Sequence, residues 1–193
     1  MRVSQQGTQT VVAVNYILPA GNHYTLTYTL SDNGRLHVAA DYAPASKADT
    51  PELPRVGLRF RLRAAMDGVT YFGRGPEENY IDRNHGTPIG RYHAKANDLY
   101  YPYVRPQENG HHTDVRWLRL EDHLGNGLLV KADSVMEFNA LRNSIEDFAQ
   151  GKATNHHADE IHPRHFGEVC LDGFIQGVGG YDICGSRPAP QHQ

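Results

Sequence analysis

The chain has 193 residues, 39% of them hydrophobic, with 11 Tyr, 19 Gly and 11 Pro. That is long enough for a single domain with a substantial core, and the balance favours a turn-rich, strand-dominated fold over a helical bundle. A formal net charge of -3, from 19 basic and 22 acidic residues, gives no electrostatic basis for binding nucleic acid or an anionic membrane.

The first ten residues are polar and lack the apolar stretch of a signal peptide, and no apolar run is long enough to span a bilayer. The chain therefore reads as soluble, with cytoplasm and periplasm both open. Residues 11–18 and 24–30 are rich in β-branched and aromatic side chains and read as strands. Asp32-Asn33-Gly34 then separates 24–30 from a second alternating run at 35–42, and Asn-Gly between two such runs predicts a hairpin. The Pro- and Ala-rich stretch 43–54 is a linker. Val56, Leu58, Phe60 and Leu62 alternate with Arg59, Arg61 and Arg63, so the next strand has an apolar and a basic face. The basic face reads as solvated, with an interdomain ion-pair surface as the sharper alternative.

Residues 71–110 mix Gly, Pro, aromatics and paired charges more densely than any other stretch, and read as a large loop ordered by its own polar network. A buried Tyr needs a partner for its hydroxyl, and an Asp beside an Arg can clamp a loop through two hydrogen bonds. Further on, 114–121 and 127–131 form a hairpin, 135–140 is a strand, and 169–175 returns to β. Ser144 followed by Glu146 and Asp147 predicts one short helix at 145–150. Cys170 and Cys184 form no disulfide framework and read as ordinary buried thiols. The regular spacing of strands and turns implies an all-β antiparallel sandwich with at most one or two short helices.

The dense stretch also carries a resemblance. Gly73-Arg74-Gly75-Pro76-Glu77-Glu78-Asn79-Tyr80 with Asp82-Arg83, then Tyr103-Val104-Arg105-Pro106-Gln107-Glu108-Asn109-Gly110, resembles the paired signature of the C-terminal, small-chain region of the large bacterial beta-galactosidases of glycoside hydrolase family 2. Leu53-Pro54-Arg55-Val56-Gly57 precedes it and Asp114-Val115-Arg116-Trp117-Leu118 follows. Asp172-Gly173-Phe174-Ile175-Gln176-Gly177-Val178-Gly179-Gly180 closes the series. The resemblance implies a galactose mutarotase-like two-sheet supersandwich. Residues 1–193 would be one such domain, clipped at both ends and exposing a strand edge.

Glycoside hydrolysis normally needs two carboxyl groups about 5 to 5.5 Å apart for retention. Glu77 and Glu78 are adjacent and would point to opposite faces of an extended chain, so they do not form that pair. In the resembled family the catalytic glutamates and the magnesium and sodium ligands belong to a (β/α)8 barrel that precedes this region. The resemblance thus implies no catalytic residue and no cofactor in this chain, which alone should be inactive. It also implies a homo-oligomeric parent that hydrolyses beta-galactosides and packs its other domains against this one.

Family members present a sugar-stacking tryptophan four residues before the Asp-Gly pair; here Glu168 stands there. The tail motif usually continues Ser-Trp, whereas Tyr181-Asp182 stands here, so Glu168 and Tyr181 are the candidate rim residues. Arg74, Glu77, Glu78, Asn79, Tyr80, Asp82, Arg83, Tyr103, Arg105, Gln107 and Glu108 are the candidate loop network. His156, His157, His162 and His165 lack metal-ligand spacing, and His111-His112 reads as a solvated loop pair. Two other functions remain open. One is a carbohydrate-binding module, if Tyr71, Tyr80, Tyr92, Tyr100, Tyr101 and Tyr103 line one open groove. The other is a mutarotase-like epimerase, if His93 or His165 faces Glu168 across a pocket.

Overall fold

A computed structural model describes residues 1–46, 53–148 and 157–177. The described residues are nearly all β, forming two antiparallel sheets of four and six strands. It divides into two compact units, Met1–Glu52 and Leu53–Gln193.

The first unit is a four-stranded meander of β1 (Arg2–Gln6), β2 (Gln9–Ile17), β3 (His23–Leu30) and β4 (Leu36–Ala43), paired in sequence order. The Asn-Gly hairpin forms as expected, with Leu30 opposite Leu36. Its turn is held by Ser31 N–H to the Arg35 carbonyl at 2.9 Å and Arg35 N–H to Asn33 Oδ1 at 3.0 Å, with Gly34 at φ +78°. Strand β1 was not anticipated, because its polar sequence shows no apolar alternation.

The second unit is a six-stranded sheet in the order β5-β10-β9-β8-β6-β7. These are β5 (Arg55–Arg63), β6 (Gly68–Arg74), β7 (Ile89–Lys95), β8 (His111–Glu121), β9 (Gly127–Leu141) and β10 (Phe166–Ile175). Two expectations are corrected here. The stretch 71–110 that reads as one loop takes in the end of β6 and the whole of β7, and β9 is a single 15-residue strand where two pieces were expected. In β7, Tyr92 and Ala94 turn inward while Arg91, His93 and Lys95 face out. Tyr71, Leu118, Leu120, Phe138 and Val169 centre the core, and each is at most 2% exposed. Tyr71, His112 and Phe138 pack ring on ring, with centroids 4.7 to 5.1 Å apart.

Register slips in β8 on either side of Val115, and Asp114 adopts φ +55° there. A short polar side chain tolerates that conformation best because it can bond locally. Asp114 accepts from Arg74 Nε at 2.5 Å, while Arg74 Nη1 donates to the carbonyls of Asn84 and Thr87. Helix α1 (Ile145–Phe148) is the short helix expected near this point, and Ser144 N–H is capped by the Asp147 carboxylate at 2.8 Å.

Candidate functional site

Strand pairing brings the scattered motifs to one place. In β10, Glu168, Cys170 and Asp172 lie opposite Arg61, Arg59 and Gly57 of β5 on one side, and Leu141, Asn139 and Glu137 of β9 on the other. Arg55, at the head of β5, reaches Asp172 with two hydrogen bonds, Nε to Oδ1 at 2.9 Å and Nη2 to Oδ2 at 2.7 Å. The same guanidinium donates to Asn139 Oδ1 at 2.5 Å and lies 3.5 Å from a Glu108 oxygen. Asn139 is oriented by its own NH2, which donates to Glu108 at 2.9 Å and to the Asn109 carbonyl at 2.7 Å. His111, fully buried, spans from Asn139 Oδ1 at 2.7 Å to Glu137 at 3.1 Å.

This buried set holds charges that water would otherwise solvate. Burial pushes the Asp172 and Glu108 carboxyls above the usual carboxylate range, and Arg55 pulls both back. Burial works against the Arg55 charge too, but Asp172 and Glu108 more than offset it, so Arg55 is held above its ordinary value.

A second cluster fixes the loops above. Glu78, its side chain 9% exposed, accepts from Tyr103 Oη, from Arg83 at 2.5 Å and from the Gly110 N–H at 2.6 Å. Gly110 sits at φ +71°, and a Cβ there would lie 2.8 Å from the Leu99 carbonyl oxygen. Arg83 therefore pairs with Glu78. Exposed Asp82 instead packs against Gly177, where a Cβ would fall 2.2 Å from the Asp82 carboxyl carbon. Asn79, fully buried, donates to the carbonyls of Arg74 and Glu77 and accepts from Thr113 N–H at 3.0 Å and Thr113 Oγ1 at 2.6 Å.

Several expectations change on this geometry. His111 and His112 are buried, at 0% and 1% exposure, and are no solvated pair. Burial pushes the His112 imidazole down to about 4, leaving it neutral at pH 7. Tyr80 is buried without a hydrogen-bond partner for its hydroxyl among the described residues. Its ring is held by stacking on His111 at 5.1 Å and by the Arg83 guanidinium at 4.8 Å, so packing stands in for the missing bond. Gln107 and Glu77 contribute their carbonyls, each accepting from an asparagine NH2.

Arg105 is exposed and makes no side-chain hydrogen bond or ion pair among the described residues, so the network closes without it. We expect Arg105→Ala to shift the stability of the chain by less than about 0.5 kcal/mol in chemical denaturation.

Glu168 is 3% exposed, and its carboxylate accepts from Arg61 Nε and from the Ile145 N–H, both at 3.2 Å, with Arg59 at 3.6 Å. The basic stripe of β5 is thus partly consumed within this unit: Arg59 also pairs with Glu146 at 2.6 Å, and Arg61 lies 4.3 Å over the Phe166 ring. His93 bonds Thr70 at 2.9 Å, and His165 is exposed. Among the described residues no group of three His, Cys, Asp or Glu is arranged to hold a metal ion. No helix among them is long and apolar enough to cross a membrane. Tyr181, Cys184 and His156 lie outside the described residues.

Asn139 and Glu137 were missed by sequence reasoning. They alternate with Met136, Phe138 and Ala140, a pattern that reads as a solvated polar face. Unlike that reading, the loop motifs cover this face and supply its partners.

The family described as "Beta galactosidase small chain" matches residues 1–193. The chain belongs to the beta galactosidase small chain family. Relatives of this small chain include the beta-galactosidases of Priestia megaterium, 40% identical over 60% of this chain, and Streptococcus thermophilus, 34% identical over 86%. That of Vibrio cholerae is 38% identical over 75%. The matched part spans 11%, 16% and 13% of those relatives' own lengths. The small chain thus matches only a minor part of each relative.

Proposed function

We propose that this small chain is the non-catalytic C-terminal domain of a retaining beta-galactosidase of glycoside hydrolase family 2, acting on terminal non-reducing beta-D-galactosides. Its part is to complete the active-site rim and to pack against the other domains. The supporting observation is that the four buried or half-buried motif carboxylates, Asp172, Glu108, Glu78 and Glu168, are already engaged. Asp172 and Glu108 share Arg55, Glu78 is clasped by Tyr103, Arg83 and Gly110, and Glu168 lies beneath Arg59 and Arg61. A catalytic pair needs carboxyl groups free to meet the glycosidic bond from two sides. These carboxylates are spent on holding the fold.

In this reading the catalytic glutamates and any magnesium or sodium belong to the rest of a homo-oligomeric parent, in the bacterial cytoplasm or periplasm. Tyr181 is kept as a rim residue, and Glu168 acts at the rim by positioning the 142–146 segment through Ile145. The test is hydrolysis of a chromogenic beta-galactoside by the chain alone, by the remainder of its parent alone, and by the two mixed. Turnover is expected only in the mixture. Turnover by the chain alone would overturn the assignment.

A further inference from the structure

Beside the Glu78 cluster lies a cleft of about 530 Å³, a size typical of small-molecule sites. Its floor includes Leu99 and His112, both buried, the latter neutral at pH 7 because burial lowers its imidazole to about 4. One wall is aromatic. Tyr101 is 55% exposed and packs against Tyr103 with ring centroids 4.6 Å apart and planes tilted by 50°. Tyr100 is stacked on Phe148, and its buried hydroxyl has no hydrogen-bond partner among the described residues. The mouth carries Glu77 and Asp98, exposed carboxylates that make no side-chain hydrogen bond or ion pair among the described residues, together with Arg83.

These features select a ligand by its chemistry. An exposed tyrosine on the wall of a cleft offers a flat surface to an apolar face. Unpaired carboxylates call for several hydroxyl donors, and Arg83, held in place by Glu78 and Tyr103, supplies a donor for ether or hydroxyl oxygens. A phosphate would meet Glu77 and Asp98 as like charges. An organic cation would be drawn to Glu77 and Asp98, but it would find Tyr101 and Tyr103 packed on each other instead of standing apart as the walls of a cage. A pyranoside has one C–H face and a rim of hydroxyls, which suits each of these groups.

We propose that this cleft is a saccharide-binding site, in which a pyranoside rests its C–H face on Tyr101 and donates hydroxyl hydrogen bonds to Glu77 and Asp98. No bond is made or broken there. The site needs only this chain, so it stands or falls separately from the role proposed above within a larger enzyme.

The test is saturation-transfer NMR on the full chain with methyl beta-D-galactopyranoside, with tetramethylammonium chloride and inorganic phosphate as competing probes. We expect transfer to the sugar C–H protons with a Kd of about a millimolar. Tyr101→Ala and Asp98→Asn should each weaken binding by about tenfold or more. Both side chains are exposed, so both variants should unfold at the temperature of the parent chain. Absence of transfer to the sugar at tens of millimolar would overturn the proposal. So would unchanged affinity in both variants, or displacement of the sugar by tetramethylammonium.

Discussion

Arg55→Ala should destabilise the chain by about 3 to 5 kcal/mol, because it strips a buried carboxylate of its counter-charge. Asp172 has a side chain only 1% exposed, and both its oxygens are bonded to Arg55. Glu108, at 25% exposure, can turn partly to water, but Asp172 has no such escape. Asn139 Oδ1 also loses a donor. A loss of this size corresponds to a fall in Tm of about 10 °C, readable by circular dichroism. The double variant Arg55→Ala/Asp172→Asn should recover part of the loss, since the orphaned charge is removed with its partner. Equal or greater instability in the double variant would show that Arg55 acts by packing alone.

The same pair sets the sign of a pH dependence. Burial holds the Asp172 and Glu108 carboxyls above their ordinary values in the folded chain, and Arg55 is the strongest of the groups pulling them back, ahead of His111. With Arg55 gone, both rise further. A carboxyl whose folded value lies above its unfolded one contributes stability below the unfolded value, and loses it as pH rises through the folded value. The Arg55→Ala deficit should therefore be largest at pH 7 and shrink as pH falls toward 5. A deficit that grows on acidification would contradict the picture of an uncompensated carboxylate.

Local signals were legible in the sequence wherever one element carries its own reason to form. The Asn33-Gly34 hairpin and the alternation of β5 are of that kind, as is the short helix after Ser144. Strand β7 escaped notice although Tyr92 and Ala94 alternate with Arg91, His93 and Lys95, because flanking Gly and Pro marked the whole region as loop. The motif resemblance pointed to the right stretches but not to how they meet. His111 finds Asn139 and Glu137 on β9 only once β8 and β9 pair, 28 and 26 residues apart in sequence. Polar residues at alternate positions look the same whether water or a covering loop satisfies them. Exposed Arg105 and engaged Arg83 were equally indistinguishable, since both sit beside acidic and aromatic neighbours.

Asn79→Ala is the other substitution expected to cost most, about 3 kcal/mol. Asn79 is fully buried and makes four side-chain hydrogen bonds, two to carbonyls of its own loop and two from Thr113 on β8. Its backbone N–H also bonds the His111 carbonyl at 2.8 Å, so the residue ties the loop to the sheet with side chain and main chain together. Truncation leaves the Thr113 N–H and the Arg74 and Glu77 carbonyls to find other partners, and each buried group left unmet costs about 1 to 3 kcal/mol. Asn79→Asp is the sharper probe, for it keeps the shape and the two acceptor contacts to Thr113 while replacing the NH2 donor by an oxygen. That oxygen would face two carbonyls at 3.1 to 3.2 Å, and at pH 7 it would carry buried negative charge. Asn79→Asp should therefore be at least as unstable as Asn79→Ala in urea denaturation. If Asp were tolerated like Asn, the two donor bonds would be irrelevant to the loop, and the ordering of residues 74–84 would have to rest on Arg74 and Glu78 instead.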